Sequence, residues 1–243
     1  MRKTILGQPI DTFNLKEAAW IAKMALIDPK QLKITTLNPE MIVNARANIE
    51  FQSAINNSHL LVPDGTGITW AMKIVNNETI QRVPGIELAE KILESANELS
   101  KKIAIFGGKK NVLEKTVLRL NKLYPKIQIV KAIDGYILEE KYSEVASEIA
   151  SQKPNIVFVG LGSPLQEIWI NKFSHLFPYS IMIGIGGSLD VWSGTKPRAP
   201  IWMRQSHLEW LYRVLIEPKR IPRLLKSIPV FLYMVLKAKI LKS

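Results

Sequence analysis

The stretch Leu60-Leu61-Val62-Pro63-Asp64-Gly65-Thr66-Gly67-Ile68 carries one carboxylate into a turn directly after an apolar run. Leu60 to Val62 suits a buried strand, Pro63 restricts φ, and Gly65 and Gly67 can take backbone angles closed to other residues. Asp64 is therefore expected at a strand end, where open α/β sheets bind ligands, and is the candidate reactive group. The plainer alternative is that Pro-Asp-Gly is a common turn tripeptide whose aspartate bonds only its own backbone. Thr36 and Asn38 flank a second change from strand to helix, in Lys33-Ile34-Thr35-Thr36-Leu37-Asn38-Pro39. Here too there is a structural account: Asn38 as helix N-cap and Thr36 as an ordinary β-branched strand residue. Arg82, in the connection 79–85, is either a phosphate clamp or a solvated loop arginine.

Further apolar runs end in glycine-bearing turns: Gly107-Gly108, Asp134-Gly135-Tyr136, Gly160-Leu161-Gly162 and Gly186-Gly187-Ser188-Leu189-Asp190. Backbone amides and positive helix ends converge at such turns, which suits a phosphate-bearing ligand. The most specific string is Gly160-Leu161-Gly162-Ser163-Pro164-Leu165-Gln166-Glu167-Ile168-Trp169. Ser163 as N-cap, Pro164 at the first helical position and Gln166 three after the cap predict a capping box, which leaves Gly162 and Glu167 without a structural account. The same amides and the Gln166 side chain could also hold a diphosphate or a sugar hydroxyl. No glycine fingerprint of a dinucleotide fold and no P-loop is present, so neither a dinucleotide enzyme nor a P-loop nucleotidase is indicated. His59, His175 and His207 lack ligand spacing and read as structural.

The elements that must position these groups follow from periodicity. Helices are expected over 11–28, 39–56, 68–75, 86–99 and 111–123, then one ending near 149 and one starting near 165. Strands are expected over 33–37, 60–62, 102–106, 127–130, 154–159 and 180–185. Apolar strands alternating with amphipathic helices predict a Rossmann-like α/β fold, a mostly parallel sheet flanked by helices. That core is expected to span 1–195, with 196–243 forming a basic amphipathic helical appendage.

The chain has 243 residues, 47% of them hydrophobic, and a formal charge of +12, so it can bury a sizeable core and favours anionic partners. Seven of the cations lie between Lys219 and Ser243, where there is no acid. That clustering argues against nucleic acid, which calls for basic and aromatic residues mixed across one face of a module. Aromatic Trp202, Trp210 and Tyr212 on an expected helix over 201–216, then the apolar run 228–236 flanked by cations, predict a helix lying in an anionic membrane surface. Nine apolar residues are too few to span a bilayer core, which needs roughly twenty. The competing reading is a C-terminal helix docked on its own core with a solvated basic face. Homo-oligomers that bury the apolar surface are expected in solution. With no cysteine and no apolar leader at the start, the expectation is a cytoplasmic protein held peripherally on the inner face of the cell membrane.

Pro63-Asp64-Gly65-Thr66-Gly67, Gly160-Leu161-Gly162-Ser163-Pro164-Leu165-Gln166-Glu167 and Gly186-Gly187-Ser188-Leu189-Asp190, in this order, resemble the WecG/TagA/CpsF glycosyltransferases, most closely the TagA branch. The resemblance covers essentially the whole chain. It implies transfer of N-acetylmannosamine from UDP-N-acetylmannosamine to undecaprenyl-diphosphate-linked N-acetylglucosamine, the linkage step of wall teichoic acid. The motifs suit N-acetylmannosaminuronic acid or glucose as the transferred sugar equally well. On this resemblance Asp64 is the general base of an inverting transfer, Thr36 and Asn38 line its pocket, and Gln166 contacts donor or acceptor. UDP is assigned to the turns at Gly107-Gly108, Asp134-Gly135-Tyr136 and 186–190, with Asp190 near the nucleoside. Arg82, with Arg213, Arg220 and Arg223 of an appendage that folds over the pocket, would neutralise the diphosphates. Having no Asp-x-Asp pair, the chain is expected to need no metal and no cofactor.

Overall fold

A computed structural model describes residues 1–206 and 208–242, without the side chains of Arg220 and Lys242. Among the described residues the strands are β1 (Arg2–Ile5), β2 (Gln8–Asp11), β3 (Leu32–Leu37), β4 (Leu60–Pro63), β5 (Lys102–Gly107), β6 (Gln128–Ile133), β7 (Ile156–Gly160) and β8 (Ile181–Gly184). β1 and β2 make an antiparallel hairpin, and the other six form one parallel sheet in the order β4-β3-β8-β7-β5-β6. All six carboxyl ends therefore open on one edge, and the expected Rossmann-like α/β architecture is present.

Strand periodicity explains the layers. Ile34, Val62, Ile103, Ile105, Phe158 and Ile183 belong to one apolar core, which includes residues of the helices Leu15–Ile27, Gly85–Glu98 and Lys110–Leu123. Their neighbours Ala104, Phe106, Val157, Val159 and Met182 belong to another, shared with helices Tyr142–Ser151 and Leu165–Phe173. β7 and β8, in the middle of the sheet, are apolar throughout because both faces are covered.

Four local expectations need correction. No element was expected at β1 and β2, and Asp11, expected to open a helix, ends β2. Its carboxylate accepts from Arg2 at 3.0 and 2.8 Å and from the Leu61 amide at 2.8 Å. β4 is an edge strand, and a buried outward N–H needs an acceptor, which outweighs helical periodicity. The first helix instead starts at Leu15, closed by a capping box between Asn14 and Glu17. The helix expected over 39–56 is two, Pro39–Ala45 and Ile49–Asn56, because Asn48 takes the Phe51 amide at 2.9 Å and caps a new start. The helix expected over 201–216 is also two, Ile201–Gln205 and Glu209–Ile216, with the Leu208 amide bonded back to the Met203 carbonyl. The fourth, the capping box at Ser163, belongs to the site.

The C-terminal helix Ile221–Lys242 lies against helices Pro39–Ala45 and Thr66–Asn76. Phe231, Met234 and Val235 are buried in a core that includes Met41, Ile68 and Met72. Val230, Leu232, Tyr233 and Leu236 remain exposed. The apolar run 228–236 is thus divided: one face docks on the core, and the other is open. Among the described residues no helix is long and apolar enough to cross a membrane.

Candidate active site

Two cavities open along the carboxyl edge of the sheet. The first, about 420 Å³, has Asp64 in its wall together with Asn38, Trp70, Arg82, Arg213 and Arg223. The Asp64 amide donates to the Leu37 carbonyl at 2.8 Å, tying the end of β4 to β3. Gly65 then adopts φ +98°, in the region that disfavours a Cβ, and turns the chain into helix Thr66–Asn76. The segment bearing Arg82 is sewn to the same place by the Val83 amide on the Pro63 carbonyl at 2.8 Å. One residue past Pro84, the Gly85 amide lies near the Asp64 carboxyl and favours its charged form. Thr36 packs under Gly85, where an added Cβ would meet its Oγ1 at 3.0 Å. It is a buttress beneath the cavity and is not part of its wall. Asn38 does both things foreseen for it: Oδ1 caps the Met41 amide at 3.1 Å, and the residue lines the cavity.

The charges around Asp64 come from distant parts of the chain. Asp64 keeps some accessible surface toward the cavity, but its carboxyl is enclosed by protein, and burial pushes it above the usual carboxylate range. Arg213, the Gly85 amide and Arg82 pull it part of the way back, while Glu209 pushes it up. A carboxylate with raised proton affinity is the better general base. Glu209 is buried and pairs with Arg213 at 2.9 Å, Arg82 at 3.4 Å and Arg198 at 4.0 Å. Burial pushes its carboxyl up, but Arg213, Arg198 and Arg82 together win and hold it below its ordinary value. Arg223 reaches Glu40 at 2.5 Å. The Arg220 side chain and His207 lie outside the described residues.

The second cavity, about 740 Å³, is lined by Gly108, Gly135, Tyr136, Gly186 and Asp190, from the three turns assigned to UDP, and by Gly162. Lys109, Asn111 and Lys196, which were not singled out, also line it. Lys196 pairs with Asp190 at 2.5 Å and with Glu217. Helix Lys110–Leu123 points its positive end here. Gly107 lies beneath the wall: its φ is +137°, and an added Cβ would sit 2.4 Å from the Gly160 carbonyl. Asp134 turns away from this cavity; it takes the Tyr136 amide at 3.2 Å and lines a separate groove with Lys110 and Lys131.

Gln166 and Glu167 lie in the first turn of helix Leu165–Phe173 and are buried. The expected capping box is absent. Ser163 makes no cap bond, and Gln166 is held elsewhere, its Oε1 taking the Gly186 amide at 3.0 Å and its Nε2 donating to Glu167 at 2.7 Å. Gly184 leaves room for it, since an added Cβ would stand 2.5 Å from Gln166 Nε2. Burial pushes Glu167 up to about 7, opposed by the bond from Gln166 and by the nearby Ser163 hydroxyl. Neither Ser163 Oγ nor Glu167 Oε2 completes a well-formed hydrogen bond.

His59 and His175 use Nδ1 on backbone groups of Lys33 and Lys172, which is structural work. Among the described residues no three His, Asp or Glu gather where they could hold a metal ion. Sequence reasoning missed Glu209 and Arg198. The available signal was Glu209 as the one acid between Asp190 and Glu217, spaced i,i+4 from Arg213.

Glycine turns thus line a cleft at one set of strand ends, and an enclosed carboxyl among arginines lines a cavity at another. Over residues 3–243 the chain matches the glycosyl transferase WecG/TagA/CpsF family, and it belongs to that family of glycosyltransferases. A Bacillus subtilis (strain 168) protein named N-acetylglucosaminyldiphosphoundecaprenol N-acetyl-beta-D-mannosaminyltransferase is 39% identical over 236 residues, covering 97% of this chain and 91% of its own. Proteins of the same name from Bacillus spizizenii and Staphylococcus aureus (strain NCTC 8325 / PS 47) are 38% and 40% identical. These matches cover 84% and 86% of this chain, and 78% and 81% of theirs.

Proposed function

We propose that the protein transfers N-acetylmannosamine from UDP-N-acetylmannosamine to undecaprenyl-diphosphate-linked N-acetylglucosamine, with inversion and without a metal, in wall teichoic acid synthesis. The observation that carries this is the enclosed Asp64 carboxyl in an arginine-walled cavity, in a chain similar to enzymes named for that sugar and that acceptor. The acceptor hydroxyl gives its proton to Asp64 as its oxygen attacks the anomeric carbon. The bond to UDP breaks on the opposite face, and UDP leaves with the electron pair. Arg82, Arg213 and Arg223 answer the diphosphate charge near the cavity, and the glycine turns at Gly108, Gly135 and Gly186 offer their amides to the nucleotide.

Residues 196–243 serve in this reading as both lid and membrane contact. The docked face supplies Arg213 and Arg223 to the cavity, while exposed Trp202, Trp210, Tyr233 and Leu236, with Lys226 and Lys237, meet an anionic bilayer on its inner face. Each cation near such a surface contributes on the order of 1 kcal/mol. Away from lipid the same surface drives self-association. The test is release of UDP from UDP-N-acetylmannosamine, which should require the lipid-diphosphate acceptor, persist in EDTA and fall roughly 10²- to 10⁴-fold in Asp64→Asn. Undiminished turnover in that variant would remove the mechanism.

A further inference from the structure

Glu209 is a carboxylate only 5% exposed, in the wall of the cavity that also holds Asp64, Glu40 and three arginines. Its three arginine neighbours are not equivalent. Arg198 has other acids, Glu87 at 2.6 Å and Glu90 at 3.5 Å. Among the described residues, Glu209 is the one acid in ion-pair range of Arg82 and of Arg213. Those two arginines are also the cations whose fields reach Asp64. The remaining charges of the cavity wall, Glu40 and Arg223, are paired with each other. Without Glu209, two arginines at the cavity would lack a counter-ion, and Asp64 would be the acid left to them.

We propose that Glu209 is a positioning residue for the transfer: by pairing with Arg82 and Arg213 it keeps them off Asp64, so that this carboxylate is free to take the acceptor's proton. This role rests on the reading of Asp64 as the base. It also couples the chemistry to the appendage, because Glu209 opens helix Glu209–Ile216, and the base is fully freed only when that helix is seated. The charges facing Asp64 are Arg213, Arg82 and Glu209, so removing the single negative one leaves the two positive fields unopposed and lowers the carboxyl's proton affinity.

The experiment is a titration of the Asp64 side-chain carbon by ¹³C NMR, assigned by its loss in Asp64→Asn, together with steady-state kinetics on the full chain. In Glu209→Gln the Asp64 titration and the acidic limb of kcat should move to lower pH. kcat should fall about tenfold while KM for the lipid diphosphate does not rise, since the arginines remain available to it. Glu209→Asp, which keeps the charge, should restore the titration. Arg213→Gln should move it to higher pH, and provides the reading if Glu209→Gln does not fold. An unmoved Asp64 titration in Glu209→Gln, with Asp64→Asn inactive, overturns the positioning role alone. Turnover surviving in Asp64→Asn overturns the base reading and the role of Glu209 with it.

Discussion

The Asp64 cavity and the glycine cleft share one sheet edge but no lining residue, and they are built on opposite principles. The cleft rests largely on glycine backbone. Its floor comes from the turns after β5, β6, β7 and β8, where Gly108, Gly135, Gly160, Gly162, Gly186 and Gly187 leave main chain uncovered, with Lys109, Asn111, Asp190 and Lys196 around them. The cavity is made of side chains, and its charges come from Asp64 just past β4, Glu40 on helix Pro39–Ala45, Arg82 in the segment before Pro84 and the C-terminal helices. β4 and β8 are separated by β3, so their ends stand two strand spacings, ~10 Å, apart. A backbone site is rigid and tolerant of side-chain change, whereas a side-chain site depends on every element that delivers a charge. The first suits holding a nucleotide, and the second suits timing a proton transfer.

The largest expected effect breaks the cavity by removing its roof. A chain ending at Pro200 keeps the cleft residue Lys196 but loses Glu209, Arg213 and Arg223 and uncovers the surface under Phe231, Met234 and Val235, whose burial is worth about 2 kcal/mol per side chain. Turnover should fall at least 10²-fold while nucleotide binding to the cleft, measured by calorimetry, stays within about threefold. Full activity in that truncation would end the division of labour. Next, Gly107→Ala attacks the cleft. It places a Cβ 2.4 Å from the Gly160 carbonyl at φ +137°, and should cost roughly 2–3 kcal/mol and raise KM for the nucleotide sugar about tenfold, leaving kcat nearly intact.

Glu167, buried outside both regions, is expected to affect stability and not turnover. Its folded value of about 7 stands above the unfolded 4.5, so the folded state holds the proton more tightly. The stability this gives is complete below about 4.5 and is lost as pH rises toward 7, about 3 kcal/mol in all. Glu167→Gln should therefore melt several degrees above the parent protein at pH 8 and level with it at pH 4, by calorimetry. The smallest effect is expected at Asp134. Its carboxylate takes the Tyr136 amide and faces away from the cleft, so Asp134→Ala should change KM for the nucleotide sugar by less than about threefold.

How much of this was legible differs between the two regions for the same physical reason. The cleft turns follow apolar runs directly, so Gly108, Gly135, Gly162 and Gly186 could be placed from neighbours a few residues away. Asp64 was legible as a strand-end acid, and the helices Thr66–Asn76 and Gly85–Glu98 were expected within a residue or two of their observed bounds. The two split helices turned on local bonds, at Asn48 and between Leu208 and Met203, while the other errors fell where a more distant partner overrode a local pattern. Asp11 left the first helix to satisfy Leu61, and Gln166 left its cap to hold Gly186. Glu209 gained its meaning from Arg82, 127 residues away.

The amino-acid order alone determined the alternation of strand and helix, the glycine turns and the gathering of cations at the end of the chain, because periodicity and turn chemistry act over a few residues. Tertiary structure decided which face of the last helix is buried, that Thr36 supports Gly85 from below the cavity, and that a buried acid pairs with two arginines whose fields reach Asp64. Electrostatic fields and close packing depend on distance in space, and that distance exists only once the chain has folded.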